Sequence, residues 1–205
     1  MEQKTIYQAL KEKIIWLDLS PASLINVSEL AKSFDVSRSP VKEALISLES
    51  EGWVMRDGGR FLVSPLNIER IKEISEIRSI MEVQANIWAM YRIDSGELDT
   101  LKKIRMEIEN LSEVPTNKQL VELDLKFHKT LLKASKNNEL AQILERMLQH
   151  FLRFWLSIPL RSGIKVVFKD TIEIINAIEM KNEAAVKLAT LEHIKESVDE
   201  IMGIY

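Results

Sequence analysis

From Gly52 to Leu66 the chain reads "GWVMRDGGRFLVSPL", and no other segment offers a comparable strand pattern. Two short β-rich runs flank Asp57-Gly58-Gly59, and glycines between such runs are a hairpin signal because the tightest hairpin turns need positive φ. Everything before the hairpin reads as helix. Ile6, Leu10, Ile14 and Leu17 recur at helical spacing, which predicts a helix over 5–18 that ends at "DLSPAS". Ser28 is expected to cap a short helix carrying Leu30, Ala31 and Phe34, and "FDVS" is a tight turn. A third helix follows, with Ser39 as the expected N-cap and Pro40 at its first position. Val41, Ala44, Leu45 and Leu48 form its buried stripe, leaving Lys42, Glu43, Ile46 and Ser47 outward.

Three short helices and a hairpin are the layout of a winged helix-turn-helix, here assigned to residues 1–65. The third helix would enter the major groove of double-stranded DNA with its N-terminal residues nearest bases and phosphates. Arg38 and Lys42 supply charge there, Ser37 and Ser39 supply short donors, and Gly58-Gly59-Arg60 at the wing tip can approach the DNA backbone closely. The alternative is an ordinary solvated helix start. Net charge is −3 overall, and the first 64 residues hold eight Lys and Arg against nine Asp and Glu, so a DNA surface must come from placement of charge and not from excess.

Beyond Asn67 the spacing predicts six helices, roughly 67–93, 95–111, 116–136, 138–160, 165–181 and 183–202, broken most plainly at "LSEVPTN" and "IPLRSG". The fold class is therefore mostly α, with an all-α second domain over 66–205. Apolar residues at 46% and charged residues at 29% suit an ordinary globular chain, and the apolar runs are too short to span a bilayer. The polar start "MEQKTIYQALKEK" lacks the apolar segment of a secretory signal and there are no cysteines, so a cytoplasmic location without a membrane partner is expected.

Two clusters in this domain carry chemistry. Asp124 and His128 lie four apart on a face shared with Leu120, Phe127 and Leu131, while His193 lies on the last helix one turn from Ala189 and two from Ala185. A carboxylate and imidazoles on apolar faces are costly to bury unless paired or bound, and these three could together hold one divalent metal ion, with zinc, nickel and manganese all chemically suitable. Arg78 occupies the stripe Ile71, Ile74, Arg78, Met81, Ala85, Trp88 and so points inward, either pairing with Glu82 at i, i+4 or forming a guanidinium fork for a carboxylate effector. Arg146, His150 and Arg153 read as a solvated basic patch rather than a site, and Trp88, Phe151 and Trp155 as core, with pocket lining the alternative.

The N-terminal run "LINVSELAKSFDVSRSPVKEALISLESEGWVMRDGGRFLVSPL" resembles the DNA-binding domain of GntR-type bacterial transcription regulators. The resemblance implies operator contacts at Arg38, Ser39 and Lys42 and a minor-groove contact from Gly59. Ser28 falls where many members have an arginine that touches DNA, and "SPAS" replaces their usual Pro-Gly turn. The helical domain is similar to the FCD ligand-binding domain of the FadR subfamily, in its shorter VanR-like branch, through "EISEIRSIMEVQAN", "LDLKFHKTLLKASKNNEL" and "INAIEMKNEAAVKLATLEHI". Metal-binding members place ligands at the positions of Asp124, His128 and His193, and a fourth, histidine, at Thr171. Thr171 lies on the stripe Val167, Thr171, Ile174, Ile178, so its hydroxyl should face the core as part of an effector pocket, whereas Asp170 is turned by about 100° around the helix. Three readings stay open: a metal held by three side chains plus water or effector, a metal-free polar pocket, and structural pairing.

Together these readings point to a metabolite-responsive regulator, most often a repressor, acting as a homodimer on a partly palindromic operator with a small organic acid as effector. The competing readings are a metal-dependent hydrolase, for which no His-Glu-x-x-His, Gly-x-Ser-x-Gly or phosphate-loop motif is present, and a DNA-binding protein whose second domain only dimerises.

Overall fold

The structure, a computed structural model, describes residues 3–111, 115–158 and 168–203. Among them are nine helices and one two-stranded hairpin, in two units that divide between Asn67 and Ile68. None of the helices is long and apolar enough to cross a membrane.

In the first unit α1 (Gln3–Ile15) buries Ile6, Leu10 and Ile14, and it packs on α3 (Arg38–Ser50), which buries Val41, Ala44, Leu45 and Leu48. The α3 stripe is the one the sequence spacing predicts, and the α1 stripe matches it except at Leu17, which falls beyond the helix end at Ile15, half-buried at φ +64°. Between them α2 (Val27–Ser33) starts earlier than expected: the N-cap is Asn26, whose Oδ1 accepts from the N–H groups of Ser28 and Glu29 at 3.0 and 3.2 Å. Ser28 therefore sits exposed in the first turn instead of capping it. A similar shift occurs at α3. Ser37, not Ser39, is its N-cap, and Pro40 falls third in the helix, still in the turn whose N–H groups have no intrahelical partner.

The wing comprises β1 (Val54–Asp57) and β2 (Arg60–Val63), antiparallel and in register from Val54 opposite Val63 to Asp57 opposite Arg60. That register leaves only Gly58 and Gly59 in the turn, at φ +55° and +81°, the left-handed pair that a two-residue hairpin requires. A single bridge from Leu24 to Leu62 borders the hairpin with the segment before α2.

The second unit consists of α4 (Ile68–Arg92), α5 (Ser95–Glu109), α6 (Asn117–Ala134), α7 (Asn138–Ser157), α8 (Lys169–Glu179) and α9 (Glu183–Met202). Helix starts follow local chemistry: Asp94 with Glu97 and Thr116 with Gln119 form reciprocal capping boxes, and Asn137 and Asn182 cap α7 and α9. Parts of the expected fourth and fifth helices (159–160 and 165–167, including Val167), most of "IPLRSG" and residues 112–114 of "LSEVPTN" lie outside the described residues. The 25-residue α4 packs against α6, α7 and α9. Its inward stripe carries Ile71, Ile74 and Ala85, but also brings Arg78, Glu82 and Asn86 into the interior at 1% exposure each. Asn86 is satisfied there by donating to Thr190 Oγ1 of α9 at 3.0 Å.

Candidate nucleic-acid interface and buried histidine site

An open groove of about 500 Å³ lies between the entry to α2, the first half of α3 and the wing. Ser28, Arg38, Lys42, Gly59 and Arg60 all line it, so five of the seven residues expected at DNA converge on one concavity. Ser37 and Ser39 are exposed at the start of α3, outside the lining. Ser37 makes no side-chain cap bond, which leaves both its hydroxyl and the α3 N-terminus open to an anion.

The electrostatics of this unit turn on which cations are already used. Lys11 is tied to Glu51 at 2.9 Å, and Arg56 to Glu49 at 3.1 Å while its guanidinium lies 4.3 Å from the Phe61 ring centre. Arg60 is only loosely paired with Asp57 at 3.8 Å, and among the described residues no hydrogen bond or ion pair engages Arg38 or Lys42. A unit with no cationic excess thus keeps two free cations at the groove. The lining also includes Asn26, Ile46 and Arg56. Ile46 is half exposed one turn beyond Lys42, where an apolar side chain suits a thymine methyl; the sequence placed it outward without assigning it a contact.

In the second unit α4, α6 and α9 bring together a buried polar chain. Arg78 Nε donates to Glu82 Oε2 at 2.7 Å with both side chains 2% exposed, and the guanidinium stacks 4.5 Å from the Phe151 ring centre. Glu82 Oε1 lies 3.2 Å from His128 Nδ1, close enough to pair electrostatically but off-line, so that this buried oxygen has no hydrogen bond. On the opposite side of the ring, His128 Nε2 is 3.3 Å from His193 Nε2 and 3.6 Å from Asp124 Oδ1. Glu82, His128 and His193 each place a ligand atom within 4.8 Å of the other two. Asp124 is more open, a quarter exposed. Of the expected ligands, then, His128 and His193 meet directly and Asp124 stands at their edge, while Glu82 is the member that sequence reasoning saw only as a partner for Arg78.

Proton affinities follow from this chain. Burial pushes Glu82 upward, but Arg78 and His128 outweigh it and hold the carboxyl well below its usual range. Burial likewise lowers His128, and the charges of Asp124 and Glu82 more than reverse this. His193, buried and facing His128, is pushed down to about 4. Without a metal, His128 is the proton holder and His193 accepts.

The donor set fits a divalent cation. Two ligands on a tetrahedral ion with bonds of about 2.0–2.1 Å stand about 3.3–3.4 Å apart, the spacing of the two Nε2 atoms. The orphaned Glu82 Oε1 adds an acceptor that the protein alone does not satisfy. Two small cavities, of about 30 and 10 Å³, adjoin the site, and Asp124, Trp155, His193 and Ser197 line both. Arg78 and Phe151 line the smaller, so buried Phe151 and half-buried Trp155 are cavity walls, whereas Trp88 packs with Leu132 and Leu144.

Thr171 of α8 is fully buried and its hydroxyl has no partner; no hydrogen bond joins it to either histidine. Asp170 is enclosed too, at 5% exposure, because α8 is covered over a wide arc. Burial, then the charges of Glu196 and Glu173, raise its carboxyl to about 6. The expected solvated patch on α7 is only partly solvated. Arg146 is exposed and His150 half-buried, but Arg153 is 3% exposed, in a helix end where Phe151, Leu152 and Phe154 are buried as well, and burial followed by the charge of Arg70 lowers it to about 10.

Residues 2–61 match the family described as bacterial regulatory proteins, gntR family, and residues 73–196 match the FCD domain. The chain is 31% identical to the HTH-type transcriptional regulator YdhC of Bacillus subtilis (strain 168), over 97% of this chain and 90% of that protein. It is 27% identical to the Nta operon transcriptional regulator of Aminobacter aminovorans, over 90% and 87% respectively. Its fold is that of E. coli McbR/YncC, with a TM-score of 0.82 at 16% identity, covering 99% of this chain and 98% of that one. Both relatives are described as regulators of transcription and neither as an enzyme.

Proposed function

We propose that this chain, which belongs to the GntR family of bacterial DNA-binding transcription regulators and carries an FCD domain, binds a partly palindromic operator as a homodimer and acts as a repressor released by a small organic acid. It is a regulator and not an enzyme. The observation that carries the DNA half of the reading is the convergence of Ser28, Arg38, Lys42, Gly59 and Arg60 on one groove, with Arg38 and Lys42 unpaired. A two-fold dimer would set two such grooves on successive half-sites, so that operator symmetry mirrors protein symmetry.

In the helical domain the reading places one divalent ion at Asp124, His128 and His193, with the effector's carboxylate completing its coordination near Arg78. Cavities of about 30 and 10 Å³ hold a water or an ion but not an organic acid. The effector must therefore favour a more open arrangement of the domain, and it is this differential affinity that would shift the operator-competent population.

The test is selection of duplexes from a random library, followed by binding titrations over a range of salt. Arg38→Ala should weaken the selected operator by roughly 1–3 kcal/mol with relaxed specificity if it reads a guanine, or lower affinity uniformly with a shallower salt slope if it holds a phosphate. Equal affinity for mutant and wild type would remove Arg38 from the interface. For the effector half, zinc-loaded protein on its operator is titrated with small carboxylic acids, and indifference to every one of them would sink that half alone.

A further inference from the structure

Resting on the metal reading above, we propose that Glu82 is the positioning residue of that site: its Oε1 accepts a hydrogen bond from the Nδ1–H of His128, so that the ring presents Nε2 to the ion alongside His193 and Asp124, while Arg78 clamps the other carboxylate oxygen.

The two sides of the His128 ring are furnished differently. Toward Nδ1 stands one carboxylate oxygen, Glu82 Oε1 at 3.2 Å, and toward Nε2 stand the second imidazole at 3.3 Å and Asp124 at 3.6 Å. An imidazole can offer a lone pair from only one nitrogen while the other keeps its proton, and which one is free is decided by the hydrogen bond at the other. Among the described residues the acceptor on the Nδ1 side is Glu82. In the metal-free protein the two Nε2 atoms face each other at hydrogen-bonding distance, which requires a proton between them. With an ion held between the two Nε2 atoms, His128 would keep its proton on Nδ1, the side that faces Glu82 Oε1.

Glu82 is built for this task and not for exchange with solvent. Its side chain is 2% exposed, Oε2 is held by Arg78 at 2.7 Å, and Arg78 is itself seated against Phe151. Only Oε1 is left without an aligned donor, and a small tilt of the His128 ring toward an ion supplies one. The neutral, unpartnered hydroxyl of Thr171 raises the importance of this arrangement. With a hydroxyl where a fourth ligand would stand, and no hydrogen bond bringing it to the histidines, three side chains carry the ion and each must be correctly aimed.

The experiment compares zinc binding by the untagged full-length protein with that of Glu82→Gln and Glu82→Leu, by calorimetric titration, with the histidine tautomers of the zinc-loaded forms read by nitrogen-15 NMR. Glu82→Gln keeps an acceptor oxygen and should bind one zinc per chain about 10-fold more weakly, and Glu82→Leu, with no acceptor, up to about 100-fold more weakly, the usual loss for such partners. In the wild type His128 should carry its proton on Nδ1 and its metal on Nε2. Unchanged zinc affinity in the Gln variant, or His128 bound through Nδ1, overturns the role of Glu82 while leaving the metal site standing. A wild type that takes up no zinc overturns both readings. Should the Leu variant not fold, the Gln variant and the wild-type tautomer decide.

Discussion

Two arginines in this chain show opposite uses of the same side chain. Arg38, at the start of α3, is exposed and unpaired beside a groove, whereas Arg78, inside the helical unit, is 1% exposed and bonded to a carboxylate one turn away. The first unit keeps this charge free for a polyanion to neutralise, while the second has neutralised Arg78 internally. A free cation costs the fold nothing when removed, and a buried one leaves its partner stranded.

The largest expected effect breaks the buried half of this contrast. Arg78→Met should destabilise the protein by about 3–5 kcal/mol, because Glu82 would then sit uncompensated in the interior. The double variant Arg78→Met, Glu82→Leu should recover most of that loss. Urea unfolding of both variants measures it; a single variant within about 1 kcal/mol of wild type would mean that the pair does not hold the unit together. Arg38→Ala, by contrast, should leave the unfolding curve unmoved and change only DNA binding.

Next in size is the acid that the second unit leaves uncompensated. Asp170 titrates near 6 in the folded protein and near the ordinary aspartate value when unfolded. Between those values the folded form retains a proton that the unfolded chain has lost, so stability falls as pH rises from about 4 to 6 and is flat above. Asp170→Asn should remove that slope, gaining about 1–2 kcal/mol at pH 7 once the shift is discounted for the exposed neighbours Glu173 and Glu196, and nothing below about pH 4. Thermal melts of both proteins across this range decide it, and parallel curves would refute the raised value.

What the sequence reveals differs between the regions for the same physical reason. Helical spacing exposes local periodicity, so the stripes of α1, α3 and α4 and the Gly-Gly turn are legible from the chain alone. The candidate DNA residues at the start of α3 can be read as a group too, since Ser37, Arg38, Ser39 and Lys42 are neighbours on one helix start. The histidine site is legible only in part. Asp124 with His128, and Arg78 with Glu82, are single-turn pairs, but the approach of Glu82 to His128 joins α4 to α6 and is set by packing. The Leu24–Leu62 bridge leaves no pattern because one backbone pair has no period, and the burial of Arg153 depends on what encloses the end of α7. The caps at Asn26 and Ser37 were misplaced by two residues because several good capping side chains stand side by side in each segment.

The smallest expected effect contrasts two turns, one from each unit, in their use of left-handed backbone. The wing turn spends glycine at both positive-φ positions, and a Cβ at either would meet no atom within 4 Å, so backbone conformation, not crowding within the protein, calls for glycine. The turn between α8 and α9 holds Lys181 at φ +52°, exposed, where glycine is the usual helix terminator. Lys181→Gly should therefore stabilise the protein by about 0.5–1 kcal/mol, part of the gain being offset by the freer unfolded chain, with operator affinity unchanged. Gly59→Ala should cost a similar amount of stability but lower operator affinity as well. If Gly59→Ala melts early yet binds operator like wild type, the wing glycine serves only its hairpin and the contrast narrows to charge alone.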